Sequence, residues 1–211
     1  TGAVTAFEYD RSNQLIKTTA YATTVSVAAL KTTLPSAPVA VTADTNNDIA
    51  VRNFYDLSGR MIGSLDGEGY LSETVYDEAG QMVRQTAYAG QAVNTNNEWA
   101  TANFATLLSS VGSVDSRSMH YVYDGQGQLR YQIYELGHVA SFTYASAGRV
   151  VSSTQHDGTI DAQGDYTLGN IAAEVGSLTG IDRTTTTTYD SAGRVETVTD
   201  AAGLVTEYGY D

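Results

Sequence analysis

Short runs rich in Val, Ile, Thr and Tyr recur along the chain, alternate in part between apolar and polar positions, and are cut apart by glycine-bearing turns. Tyr70-Leu-Ser-Glu-Thr-Val-Tyr76 and Gly203-Leu-Val-Thr-Glu-Tyr-Gly-Tyr210 are two of them. A period of two marks a strand with one face on a core. Runs of about six residues, at roughly 3.3 Å each, give strands of about 20 Å. A hairpin of that size is unstable alone, so hairpins have to stack side by side. Three stretches change to the helical period. In 97–111 the residues Ala100, Phe104, Leu107, Leu108 and Val111 share one face, with Asn96 or Asn97 placed to cap it and Gly112 beyond. Leu168, Ile171, Ala172, Val175 and Leu178 repeat the spacing, with Gly180 after them, and Val25 to Leu34, before Pro35, follows it less regularly. The pattern predicts an all-β fold with minor helix, in which short helices pack on one face of an antiparallel sheet.

The turns fall on a ruler of tyrosines: Tyr9, Tyr55, Tyr76, Tyr123, Tyr144, Tyr189 and Tyr210. Their spacing alternates. The steps from Tyr55 to Tyr76, Tyr123 to Tyr144 and Tyr189 to Tyr210 are short and identical, and the steps between them are more than twice as long. All but Tyr144 are followed by Asp, and the fourth position after the Tyr is Gly59, Gly80, Gly127, Gly148 or Gly193, with Asn13 in the first unit. Asp at the head of a turn bonds its own following backbone, and Gly at the fourth position takes the positive φ that leads into the next strand. Asn tolerates that region best after Gly. Each short unit holds a second Gly-bearing turn, which ends at Gly69, Gly137 or Gly203, at the same distance from the unit's Tyr in all three. The steps from Tyr9 to Tyr76, Tyr55 to Tyr123, Tyr76 to Tyr144, Tyr123 to Tyr189 and Tyr144 to Tyr210 are nearly equal. A short hairpin unit and a long one with an insert therefore make one super-period. The chain is expected to be a single array over 1–211, with inserts near 20–50, 88–118 and 156–184 and helices in the inserts.

Composition narrows the partners. A formal charge of −13 and a pI near 4.4 repel phosphate backbones and anionic headgroups, so neither nucleic acid nor membrane insertion is expected. The chain has no Cys, hence no disulfide framework and no thiol nucleophile. Two prolines and 20 glycines fit turn-punctuated β structure, and the run Thr184 to Thr188 fits a strand whose sides alternate.

Candidate chemistry is sparse. His120, His138 and His156 are the three imidazoles. His138 occupies the strand position of Tyr70 and Leu204 and reads as a half-buried sheet residue; His156-Asp157 reads as a solvated turn rather than part of a triad. No nucleophile elbow, zinc helix or phosphate loop is found. Acidic turns offer weak calcium candidates at Asp44, Asp48, Asp157 and Asp161. In the first of these Ile49 stands where a calcium loop needs Gly, and Tyr55 where it needs the closing Glu. No metal and no cofactor is expected. The repeated tyrosines, with Tyr21, Tyr88, Tyr131 and Tyr134, have the faces to stack on sugars, but their fixed register favours packing. Arg60, Arg149 and Arg194, at the position of Gln14, Gln81 and Gln128, predict a cross-strand polar ladder with carboxylates.

The motif Tyr-Asp-x-x-Gly-Arg/Gln-apolar stands at 55–61, 76–82, 123–129 and 189–195, with a copy lacking the Asp at 144–150. In this motif and its spacing the chain resembles the YD repeats of the Rhs family, which includes bacterial polymorphic toxins, shell components of insecticidal toxin complexes and animal teneurins. The resemblance implies a strip of hairpins forming a curved, open sheet or part of a β-shell that encloses a toxin domain. It implies a container and no enzyme, in a secreted or surface-exposed bacterial protein. Family autoproteolysis uses a separate core segment of Asp-Pro-x-Gly type that this sequence lacks, so no catalytic residue is carried over. The long units exceed the usual repeat and seven units fall short of a cage, so the chain is expected to be a piece of a larger protein. Its partners would be neighbouring repeats, other copies, an encapsulated toxin domain or glycans. An extended glycan-binding stalk and a head-to-tail fibre unit are the alternatives.

Overall fold

The structure, a computed structural model, describes residues 1–27, 39–44, 46–92, 102–112, 116–162 and 164–211. The first six strands are β1 (Thr5–Tyr9), β2 (Leu15–Ala20), β3 (Ile49–Tyr55), β4 (Met61–Leu65), β5 (Tyr70–Tyr76) and β6 (Met82–Gln91). Helix α1 (Phe104–Ser110) leads to β7 (Arg117–Tyr123), β8 (Leu129–Ile133), β9 (Val139–Tyr144) and β10 (Val150–Gln155). Helix α2 (Leu168–Gly176) precedes β11 (Arg183–Tyr189), β12 (Val195–Thr199) and β13 (Val205–Glu207). Hydrogen-bonded order follows chain order from β1 to β13 in one 13-stranded sheet, and every pair described is antiparallel. The all-β expectation with minor helix is met. The threonine run lies inside β11, where Thr184 bonds Thr154 of β10 and Thr188 bonds Thr197 of β12 through their hydroxyls.

The inserts differ from the sequence reading in their helix ends. The first turn of α1 is set by Asn103, whose Oδ1 accepts the N–H of Thr106 at 2.9 Å. Asn103 is extended at φ −79 and ψ 163, so the helix begins at Phe104. Asn96, Asn97 and Ala100 lie outside the described residues. Thr167 caps α2 by accepting from Asn170, and the helix stops at Gly176. Leu178, expected on the helical face, lies past its end and still packs against the core. Of Val25 to Leu34, the residues from 28 onward lie outside the described residues. Val25 itself is extended and exchanges two backbone hydrogen bonds with Gly2, as its β-branch and the preceding threonines favour.

The residues gather into two compact units, Thr1–Val75 with Thr86–Arg117, and Tyr76–Gln85 with Ser118–Asp211. In the first, Leu65, Leu71 and Ala92 form a core with Leu107 and Val111, flanked by Phe54, Phe104 and Leu108. In the second, Val122, Ile133, Val139 and Ile160 do so with Ile171 of α2, flanked by Tyr131, Val175 and Leu178. The step along the chain that carries Tyr55 to Tyr123 also carries Phe54 to Val122, Leu65 to Ile133, Leu71 to Val139 and Ala92 to Ile160. It carries a backbone bond onto its twin as well: Ala92 N–H donates to Gly69 at 2.8 Å, and Ile160 N–H to Gly137 at 2.9 Å. Thus the second and third inserts are each tied to the second turn of the short hairpin before them and lay a helix over that hairpin. Each fully buried aliphatic side chain contributes about 1.5–3 kcal/mol.

The two cores are filled in opposite ways. In the first unit the ring comes from the helix: Phe104 sits 5.2 Å from Phe54, over Gly63, where an added Cβ would meet the Phe104 ring and lie 2.6 Å from the Ser72 carbonyl oxygen. In the second unit the strand position equivalent to Gly63 is Tyr131, and the first helical residue is Leu168. Gly63→Ala should therefore destabilise by about 1–3 kcal/mol through overpacking. Phe104→Leu added to it should recover only the part due to the ring. Urea unfolding of the two single variants and the double variant measures this coupling.

Candidate functional site

Pairing between successive strands stops short of the apolar residue that closes each motif. The last pairs are Lys17 with Arg52 between β2 and β3, Tyr131 with Ser141 between β8 and β9, Ser152 with Thr186 between β10 and β11, and Thr197 with Glu207 between β12 and β13. Two residues further out, the carbonyls of Leu15, Leu129, Val150 and Val195 lie past the last residues paired with the following strand. Each accepts instead from the hydroxyl of the next repeat tyrosine. Tyr55 donates to Leu15 at 3.1 Å, Tyr144 to Leu129 at 2.8 Å, Tyr189 to Val150 at 2.7 Å and Tyr210 to Val195 at 2.9 Å. Tyr123 does the same to Met82 at 3.0 Å, and the Leu15 carbonyl takes a second bond from the Asn53 amide. In all five bonds the acceptor stands six residues after the preceding repeat tyrosine. Burial pushes the Tyr123 and Tyr144 phenols above their ordinary pKa, so both stay protonated donors.

The turn beside each tyrosine is built from its own aspartate. Asp10, Asp56, Asp124 and Asp190 accept through Oδ1 from the N–H groups two and four residues on, at 2.8 to 3.0 Å. These bonds, above all from the fourth residue, hold Asp56, Asp124 and Asp190 below the ordinary carboxylate range. Asn13 is at φ 62, and Gly59, Gly80, Gly127, Gly148 and Gly193 lie between 74 and 84. At Tyr144 the turn closes without the carboxylate: Gly148 N–H donates to Ala145 at 2.8 Å, as Gly59 does to Asp56.

The residue after the glycine is wired differently from the expected carboxylate ladder across strands. Arg60 and Arg194 pair with Asp56 and Asp190 of their own turns, Nε to Oδ2 at 2.7 and 2.8 Å. Gln14 and Gln81 reach forward to backbone, donating to the carbonyls of Gly59 at 2.8 Å and Gly127 at 3.1 Å. Arg149, with Ala145 in place of the aspartate, lies over the ring of Tyr189 at 4.8 Å, and Arg194 lies over Tyr210 at 4.3 Å. Adjacent turns are joined by amide-to-backbone and cation-to-ring contacts because the carboxylates are consumed locally.

The histidines separate. His138 is exposed at the entry to β9, not half-buried, with Nδ1 3.2 Å from the Gly158 carbonyl oxygen. His120 is stacked on Tyr166 at 3.6 Å between centroids and 5° between planes, and burial, helped by the charge of Arg84, pushes its pKa down to about 4. His156 is not a solvated turn residue. Its Nε2 is 2.8 Å from Ser141 Oγ and its Nδ1 2.8 Å from Asp182 Oδ2. Sequence reasoning does not single out Ser141 or Asp182. The super-period holds half of the signal: the step from Tyr55 to Tyr123 also carries Glu73 to Ser141 and Tyr88 to His156, and Tyr88 Oη donates to Glu73 at 2.9 Å. Asp182 sits at the end of an insert whose length varies, so no register points to it.

The acidic turns spend their carboxylates on the chain. Asp48 accepts from Ala22 and Asp44 N–H; Asp44 accepts from Asn46 N–H and the Asn47 amide; Asp157 accepts from Ile181 N–H. Among the described residues, no three His, Asp or Glu side chains converge as metal ligands. None of the described helices is long and apolar enough to cross a membrane.

A family model described as RHS Repeat matches residues 189–211. No curated protein matches. Among solved structures, a TcdB2–TccC3–Cdc42 crystal structure aligns over 100% of this chain and 9% of its own, with a TM-score of 0.57 and 15% identity. TcdB2–TccC3 without its hypervariable C-terminal region gives 0.58 with the same coverage and identity. A Photorhabdus luminescens Tc holotoxin pore gives 0.57 at 15% identity, over 100% of this chain and 8% of that one. The chain thus spans less than a tenth of the structures it matches and shares their fold.

Two outcomes follow from this geometry. Tyr144→Phe keeps the ring and removes the bond to Leu129, so it should cost about 1 kcal/mol in chemical denaturation. His120 is neutral in the fold down to about pH 4, whereas the unfolded chain takes up the proton near 6.5. Stability is therefore lost as pH falls from about 6.5 toward 4, with no further loss from this group below that. Discounted for partial exposure, the loss is on the order of 1–2 kcal/mol. Comparing unfolding at pH 7 and pH 4.5, His120→Phe should lose less stability on acidification than the parent chain.

Proposed function

We propose that this chain, an array of YD repeats of the Rhs family, is a wall segment of a large secreted or surface-exposed bacterial protein that encloses a toxin domain. The observation that carries the reading is the tyrosine bond repeated at a constant six-residue offset. It joins one motif to another, a contact that builds a lattice and leaves the hydroxyls committed to the chain. A sugar platform needs those hydroxyls and ring faces free, and two of the rings already carry arginines. The work assigned to the repeat is mechanical. Its partners on this reading are neighbouring repeats on either side and an enclosed domain. The alignment of the whole chain to a small part of TcdB2–TccC3 structures supports the same assignment.

Protease protection tests it in the full polypeptide that carries this segment. The enclosed domain should survive trypsin while the repeats are intact. Replacing Tyr123, Tyr144 and Tyr189 together by Phe should expose it, shortening its lifetime at least tenfold. A domain digested equally fast with and without the repeats, or repeats that surround no cavity by electron microscopy, overturns the proposal.

A further inference from the structure

The second unit holds a constellation that the wall reading does not use. Ser141 on β9, His156 after β10 and Asp182 before β11 come together across three neighbouring strands. The imidazole lies between them, with Nε2 2.8 Å from Ser141 Oγ and Nδ1 2.8 Å from Asp182 Oδ2. This is the polarity that general-base activation of a serine requires: the nitrogen facing the hydroxyl must be free to take a proton, and the carboxylate fixes that tautomer from the other side.

The carboxylate is itself held. Asp182 Oδ1 accepts the N–H of Asp157 at 3.0 Å, leaving Oδ2 for the imidazole, and Asp157 Oδ2 accepts the N–H of Ile181 at 3.1 Å. The two ends of the insert are thus clasped reciprocally, and the clasp aims Asp182. Backbone and imidazole bonds keep its carboxyl below the ordinary range, so it remains an anion. His156 N–H donates to Val139 at 2.9 Å, which fixes the imidazole from its backbone. A cleft lined by Gln155, His156, Asp157, Ile181, Asp182 and Arg183, among others, opens onto the imidazole and the carboxylate. Ser141 is half-buried beside them. The equivalent pair in the first unit, Tyr88 and Glu73, has a phenol in place of the base and a carboxylate in place of the hydroxyl, so a nucleophile of this kind is not part of the repeat itself.

We propose that Ser141 is an activated nucleophile that accepts acyl groups from activated esters. Ser141 Oγ bonds to the acyl carbon as its proton passes to His156 Nε2. The bond from that carbon to the leaving oxygen breaks, and the departing phenoxide takes the proton back from the imidazolium. The products are O-acyl Ser141 and a free phenol. An aryl ester supplies its own good leaving group, which suits three side chains that provide nucleophile, base and orienting anion.

The test is p-nitrophenyl acetate followed by intact and peptide mass spectrometry. Acetylation should localise to Ser141 and outpace that of Ser72, whose hydroxyl meets Ser64 in place of a base. Asp182→Asn should slow it at least tenfold, and His156→Gln at least a hundredfold, within the range of general-base effects. Because the chain has no Cys, Ser141→Cys gives a second readout independent of the first. Its alkylation by iodoacetamide should fall at least tenfold when His156→Gln is added, with both proteins giving the parent's circular dichroism. Acetylation of Ser141 no faster than Ser72, or labelling indifferent to His156→Gln, overturns the proposal. Protease protection of an enclosed domain is unaffected by either outcome.

Discussion

The structure depends on how a carbonyl is satisfied where two strands part. An unpaired backbone carbonyl cut off from water is costly. Where these ladders end, a half-buried carbonyl stands past the last strand pair, and the phenol of the next motif is the right length to reach it. The hydroxyl bonds at one end while the ring offers a face, which at Tyr189 and Tyr210 meets the arginine of the neighbouring turn, so one residue type makes two kinds of contact at once. That double duty explains why Tyr, and no other aromatic, occupies the ruler positions, and why the aspartate can be dispensed with at Ala145 while Tyr144 is kept.

The aspartate and the glycine are local devices. They shape a turn that would deliver the chain to the next strand whatever its neighbours did. The tyrosine, Gln14, Gln81, Arg149 and Arg194 act between turns, and they do so with three different contacts: to a carbonyl, to a backbone glycine and to a ring face. Register between hairpins is therefore specified at the turn as well as along the strands. This matters in a chain whose strands include a stretch as featureless as Thr184 to Thr188, where a slip would otherwise cost little.

Much of this is legible in the residues because the signals are local or periodic. Period-two runs place the strands, Asp-x-x-Gly places the turns, and the helical faces at Leu107 and Ile171 mark the segments that cover the cores. What the sequence hides is non-local. Asn103 rather than Asn96 or Asn97 starts α1, since several asparagines nearby compete as caps and only packing selects one. Val25 is extended because its partner is Gly2, far from the apolar spacing that suggests a helix. Arginines expected to face carboxylates across strands bind their own turns or a ring, because the turn aspartate is the closest anion. His156 reads as solvated from its own turn, since Asp182 reaches it only through the closure of an insert.

The exchange of bulk between the two cores bears on how such arrays grow and diversify. Where one unit takes its ring from the helix and leaves a glycine in the strand, the other takes its ring from the strand and begins its helix with leucine. In the first block the strand glycine and the helix ring are matched to each other. Moving a short hairpin alone from one block to the other would set Tyr131 against Phe104, or leave a hole where both are missing. Recombination that preserves folding must then cut at the longer interval, so the block, and not the tyrosine motif that makes it visible, is the quantum by which this array can be duplicated, lengthened or spliced.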